Sequence, residues 1–397
     1  VPGFIPGGIP GGIPPAAPAI GITVVASGRG GAPSGNIGEK GGGAGEKGSA
    51  GGGGTDPGTF GSLMVPVSQT AQRLGRTRGS AAPLVAGNAI DGNTDFVVAC
   101  HDLAMPTIAV NDIEICYESF GDDDAPPILL VMGLGAQMTL WSPGLVSELL
   151  DRGFRVIRFD NREVGLSTKT DGPPPDVMAM YMAFAAGQPI EAPYTLSLLA
   201  ADAVGLLDAL DIPAAHIVGA SMGGMIVQTI AIEHPDRVLS LTSIMSTTGH
   251  TEVGQPDPEA MMALLTPSPA DRASAIDANV NMGRLISGDL FDEVEARRIS
   301  TESYDRCFHP VGTMFQLAAI AASGDRTEGL RQLDVPTLVI HGRQDSLVTL
   351  SGGEATAAAI PGAELLVFGL MGHDMPRRYW PQIADAIFNI AARAEGL

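Results

Sequence analysis

Ser221, Asp345 and His373 are the residues whose types and chain order could carry out nucleophilic catalysis. Ser221 sits in Gly219-Ala220-Ser221-Met222-Gly223, where the apolar run His216-Ile217-Val218 gives way to a helical pattern, Gly224-Met225-Ile226-Val227-Gln228. G-x-S-x-G between strand and helix is a nucleophile elbow, a turn so tight that only small flanking residues let the serine stand clear of the backbone. A serine hydroxyl is a poor nucleophile near neutral pH. It needs a histidine to take its proton and a carboxylate to hold and charge-balance that histidine. Asp345 follows the run Val335-Pro336-Thr337-Leu338-Val339-Ile340, and His373 follows Ala363-Glu364-Leu365-Leu366-Val367-Phe368. Both therefore fall on loops beyond strand C-termini, the edge where open parallel sheets place their sites.

The remaining requirement is stabilisation of an oxyanion. After the strand Ile128-Leu129-Leu130-Val131 comes Met132-Gly133-Leu134-Gly135-Ala136-Gln137, a glycine-bearing loop that can bring a backbone N–H close to a bound carbonyl. The amides of Leu134 and of Met222, the residue after the nucleophile, are the expected donors, and such a donor is typically worth about 10²- to 10³-fold in rate. Duller readings exist: Ser221 as a helix cap, Asp345 as the head of an Asx-turn, His373 as a surface histidine. His341 precedes the acid at the strand end and reads as structural. His216, His234, His250 and His309 show no ligand spacing, so no metal site is expected, and the chemistry needs no cofactor.

These residues need a scaffold that delivers three distant loops to one rim. Thr107–Val110 and Ile113–Glu118 read as a hairpin across Asn111-Asp112. Strands follow at 128–131, 155–159, 216–218, 238–244, 335–340 and 363–368. The helices fall around 142–151, at 196–210, where apolar residues recur at spacings of three and four, and from Met222 to about Glu233. Such alternation predicts an α/β fold with a mostly parallel sheet covered by helices on both faces. Residues 168–194 and 250–327 interrupt the alternation and read as helical cap segments over the strand C-termini. Trp141, Met178 and Met182 are candidates to line a substrate pocket there, methionine being easily reshaped. The plainer explanation is packing, within the cap's own core for the two methionines and elsewhere in the fold for Trp141.

With these motifs in hand, the chain resembles serine esterases and lipases of the α/β-hydrolase superfamily, in particular the aclacinomycin methylesterase-like bacterial carboxylesterases. The resemblance lies in Val131–Gln137 through Trp141, in Val156–Ser167, in Gly219–Gly224 and in Val335–Asp345, and spans roughly 105–392. The order Ser, Asp, His is the one that superfamily uses. It implies an α/β-hydrolase fold with a helical cap and a Ser221-Asp345-His373 triad. The implied activity is carboxylic ester hydrolysis; the three ordered loop residues point to two-step acyl transfer, and the size of the cap to small to medium acyl chains. Many relatives begin the oxyanion loop with His-Gly where this chain has Met132-Gly133. The backbone donor does not depend on that imidazole, so only the bracing of the loop is left open. Arg162, in the segment Asp160–Ser167, reads as a scaffold residue pairing with local carboxylates. A perhydrolase or a carbon-carbon bond hydrolase could use the same triad. A non-catalytic binding protein on this scaffold would be marked by a missing triad member, and none is missing.

Composition bounds the rest. Residues 1–104 are dominated by glycine, proline, alanine and serine, too poor in large apolar side chains to repay chain entropy, and are expected to be disordered and dispensable. Residues 105–397 are expected to form the hydrolase domain. No secretory signal is recognisable and no apolar stretch reaches the roughly twenty residues of a spanning helix. The net charge of -21 falls after residue 104, because the leading segment holds six basic and six acidic residues. Such a surface repels nucleic acid and anionic membranes, which leaves a small-molecule ester as the expected partner. Three cysteines make no disulfide framework, so a cytoplasmic protein is expected. Oligomeric state is not legible.

Overall fold

The computed structural model describes residues 22–26 (backbone only), 105–176, 179–180, 182–183, 186 and 188–397. Its strands are β1 Ile22–Ala26, β2 Thr107–Val110, β3 Ile113–Phe120, β4 Pro127–Val131, β5 Arg155–Phe159, β6 Ala215–Ala220, β7 Val238–Ile244, β8 Thr337–Gly342 and β9 Glu364–Phe368. They form one sheet in the order β1-β9-β8-β7-β6-β4-β5-β3-β2. From β5 through β4, β6, β7, β8 and β9 every pairing is parallel, and the edges β2-β3, β3-β5 and β1-β9 are antiparallel. The α/β-hydrolase architecture predicted from the sequence is the one observed. The leading segment otherwise lies outside the described residues. For Ile22–Ala26 the expectation of disorder does not hold: these residues, ITVVA, pair with β9. A run so rich in β-branched residues suits a strand, whereas composition averaged over 104 residues hides it.

The helices are α1 Pro143–Asp151, α2 Leu196–Ala209, α3 Met222–Glu233, α4 Pro258–Leu265, α5 Arg272–Ile286, α6 Glu293–Arg306, α7 Gly312–Ser323, α8 Thr327–Leu330, α9 Leu350–Ala359 and α10 Trp380–Glu395. The central strands are apolar on both sides because both faces are covered. Leu129 and Val131 of β4 pack in one cluster with Leu199 and Leu206 of α2 and Ile226 and Ile230 of α3. Ile128 and Leu130 join the opposite cluster with Leu145 and Leu149 of α1 and Ile383 and Ile387 of α10. That two-residue alternation fixes the register of the site, since a slip by one residue would exchange the faces.

Residues 250–327 carry α4 to α7 and run to the start of α8. Their backbone reaches the loops at the strand C-termini, as in the hydrogen bond from His373 N to the Ile286 carbonyl (2.7 Å). Helix α7 also enters the main core through Phe315 and Ala319. Among the described residues no helix is long and apolar enough to cross a membrane.

Candidate active site

Strand β6 ends at Ala220, and Ser221 takes φ 58° and ψ −120° before α3 begins at Met222. A non-glycine residue held there stores about 1–3 kcal/mol, and a surrounding lattice of backbone contacts must enforce it. That lattice is visible. Ser221 N donates to the Ile244 carbonyl of β7 (2.9 Å). A Cβ on Gly219 would overlap the Gly223 carbonyl, and one on Gly223 would overlap the Val131 carbonyl of β4. The two glycines of the motif are therefore imposed by backbone crowding.

Asp345 and His373 come from the loops after β8 and β9. His373 Nε2 lies 2.8 Å from Ser221 Oγ and its Nδ1 lies 2.8 Å from Asp345 Oδ2. The ionised carboxylate only accepts, so Nδ1 carries the proton and Nε2 is free to accept from the serine hydroxyl. The second oxygen of Asp345 accepts from Leu347 N (3.0 Å) and Val348 N (2.8 Å), which fixes the carboxylate in its buried position. His341 is fully buried, its Nε2 2.8 Å from the Val348 carbonyl and 3.5 Å from Asp345 Oδ2. Burial lowers its pKa, so it stays neutral and ties the acid loop together. Asp374, beside His373, accepts from Gly372 N (3.0 Å), and burial raises its pKa.

Of the two expected oxyanion donors, Met222 directly follows the nucleophile, and Leu134 follows Gly133, which lies against it. Met222 N is the first amide of α3 and has no carbonyl four residues back to bond within the helix. Gly133 abuts Ser221, since a Cβ there would sit 3.0 Å from the serine Cβ and 3.5 Å from its Oγ. The next amide, Leu134 N, and that of Met222 make no hydrogen bond among the described residues. Two unpaired N–H groups beside a serine–histidine pair suit the charge that develops when the hydroxyl adds to a carbonyl.

The pocket candidates fare differently. Trp141 is 1% exposed and, directly after the 3-10 turn Met138–Leu140, belongs to the core cluster on the α1 and α10 face. Met182 is 63% exposed to solvent. Met178 lies outside the described residues. Arg162 forms a buried ion pair with Asp202 (2.6 and 2.8 Å) and lies over the Tyr194 ring, a scaffold arrangement. No group of three or more metal-ligating side chains occurs among the described residues.

Functional neighbours that the sequence reading missed brace the oxyanion loop. Gln316 Oε1 accepts from Gly135 N (2.8 Å), Asp160 Oδ1 accepts from Met138 N (2.8 Å), and Gln137 Nε2 donates to the Ser303 carbonyl (2.7 Å). Arg306 joins them, donating to Gln137 Oε1 (2.6 Å) and pairing with Asp160 Oδ2 (2.7 Å). A lone side-chain amide between Phe315 and Leu317 in helix α7 was the available signal for Gln316.

Comparison with known proteins gives the same fold. The family model of the alpha/beta hydrolase fold matches residues 126–376. The chain is 27% identical over 310 residues to rhodomycin D methylesterase from Streptomyces peucetius, covering 71% of this chain and 97% of that protein. It is 30% identical over 266 residues to 2-hydroxymuconate semialdehyde hydrolase from Pseudomonas sp. (strain CF600), covering 66% and 82% respectively. Among solved structures, the enol-lactonase from Burkholderia xenovorans LB400 aligns with TM-score 0.53 at 25% identity, over 74% of this chain and all of that one.

Proposed function

From the premise that this chain belongs to the alpha/beta hydrolase fold family, we propose that it is a serine carboxylic ester hydrolase. The observation that carries the reading is the single imidazole within hydrogen-bond reach of both Ser221 Oγ and Asp345 Oδ2, beside the unpaired amides of Leu134 and Met222. His373 takes the Ser221 proton as Oγ adds to the ester carbonyl. Asp345 balances the imidazolium, and the two amides receive the oxyanion. His373 then protonates the departing alcohol, leaving an acyl-serine. Water, deprotonated by the same imidazole, adds to the acyl carbon, and collapse releases the acid and restores Ser221.

Small to medium esters are the proposed substrates, in keeping with a methylesterase and an enol-lactonase among the similar proteins. Carbon-carbon bond hydrolysis is a second reading, favoured by the similarity to 2-hydroxymuconate semialdehyde hydrolase. The test is Ser221→Ala assayed on p-nitrophenyl esters of graded acyl length, beside a vinylogous 1,5-diketone ring-cleavage product and a fluorophosphonate label. The expected result is Ser221-dependent turnover that peaks at short acyl chains. Undiminished ester hydrolysis by Ser221→Ala would overturn the proposal, and turnover of the diketone alone would favour the second reading.

A further inference from the structure

The loop Met132–Gln137 must present the Leu134 N–H beside Ser221, yet it belongs to no helix or strand, and its own bond runs from Ala136 N to the Gly133 carbonyl (3.2 Å). Side chains from elsewhere hold it. Asn161 Nδ2 donates to the Met132 carbonyl (3.0 Å) at its start, and Asp160 accepts from Met138 N (2.8 Å) at its end. Between them Gln316 accepts from Gly135 N (2.8 Å), the amide of the peptide that directly follows Leu134. The other end of the same side chain donates from Nε2 to the Arg162 carbonyl (2.9 Å). Gln316 is 0% exposed, so it has no water to fall back on. Its amide has one workable orientation: exchanging O and N would set N–H against N–H at Gly135 and carbonyl against carbonyl at Arg162. One turn earlier on the same helix face, Thr313 presses on Gly135, where a Cβ would meet Thr313 Oγ1 at 2.6 Å and φ is +65°.

We propose that Gln316 is a positioning residue for the oxyanion hole. It locks the Leu134–Gly135 peptide, the immediate neighbour of the Gly133–Leu134 peptide that carries the Leu134 N–H, so that this N–H can turn only through the two backbone torsions of Leu134 and its placement depends on helix α7 being docked. This rests on the hydrolase reading above. Gln316 touches no substrate atom; it acts through Leu134. Its loss should therefore weaken stabilisation of the tetrahedral intermediate more than binding of the ground-state ester.

The experiment compares full-length wild type, Gln316→Met and Gln316→Glu, with Ser221→Ala as control, on p-nitrophenyl butyrate. Active sites are counted by fluorophosphonate titration so that unfolded molecules do not enter kcat. Methionine keeps the length and loses both hydrogen bonds. It should lower kcat about 10- to 100-fold with KM within about threefold, the scale of a misplaced catalytic group. Affinity for a short trifluoromethyl ketone, whose hemiketal oxyanion occupies the hole, should fall by the same factor as kcat/KM. Gln316→Glu can reproduce both bonds while protonated and sets a charge against the Arg162 carbonyl when ionised. Its kcat relative to wild type should fall as pH rises. Gln316→Met with kcat per titrated site and ketone affinity unchanged, while Ser221→Ala is inactive, overturns the proposal and leaves the hydrolase reading standing. Wild-type turnover by Ser221→Ala removes the hydrolase reading and this proposal with it.

Discussion

The two amides proposed to receive the oxyanion are held in opposite ways. Met222 is covalently next to Ser221, and its N–H is aimed by the start of α3 and by the crowding of Gly219 and Gly223 against backbone carbonyls. Leu134 lies on a loop with no regular structure, and side chains from α6, α7 and the segment after β5 hold its neighbours. One half of the proposed oxyanion hole is thus built from local backbone, the other from distant polar contacts. Damage to the first should be confined to few positions and severe. Damage to the second should be spread over many positions and graded.

Gly223→Ala probes the first half and should have the largest effect. Its methyl group would overlap the Val131 carbonyl, and neither partner is a side chain that could swing away. The expected outcome is loss of at least about 3 kcal/mol in urea unfolding, the upper range of overpacking costs, together with loss of fluorophosphonate labelling. A folded, fully labelled Gly223→Ala would show that the elbow is less tightly enforced than the contact implies.

Arg306→Met probes the second half and should cost less. It leaves the fully buried Asp160 carboxylate without its cation and Gln137 without a donor, although Asp160 still accepts from Met138 N and Leu166 N. Breaking a buried pair typically costs about 3–5 kcal/mol, and the two surviving bonds place the expectation at the low end. A fall in kcat of about tenfold should accompany it if the loop loosens at Leu134. Stability lost with kcat per titrated site unchanged would separate the ion pair from the hole.

The same division explains what could be read in advance. Strands β4 to β9, α2, α3 and the residues Ser221, Asp345 and His373 announce themselves through apolar runs and loop positions, because each signal is local. The proposed donors Leu134 and Met222 are assigned from backbone position alone. Gln316, Arg306 and Asp160 carry no local signature: their roles arise when segments far apart in sequence are folded together. Trp141 is buried in the core cluster on the α1 and α10 face, which agrees with the plainer packing reading of that residue. The strand Ile22–Ala26 was masked by the average composition of its surroundings.

The smallest predicted effect tests whether even the locally built half has a side-chain dependence. His216 lies in β6, the strand that delivers Ser221, and is 1% exposed. Its Nδ1 is 2.9 Å from Ser240 Oγ of β7, its Nε2 3.3 Å from Glu395 Oε1 of α10, and the Phe154 ring meets it edge-on at 5.8 Å. Burial lowers its pKa and the Glu395 carboxylate only partly opposes this. The unfolded chain therefore binds a proton more readily than the native one, so stability is full above the unfolded value of about 6.5 and is lost as pH falls below it. The slope for one such group is at most about 1.4 kcal/mol per pH unit. His216→Gln should reduce the drop in urea midpoint between pH 7.5 and pH 5.5 relative to wild type. His341, whose pKa burial also lowers, is present in both proteins and cancels in the comparison. Equal acid losses in the two proteins would mean that Glu395 fully offsets burial at this strand, and that the elbow owes nothing to the protonation state beneath it.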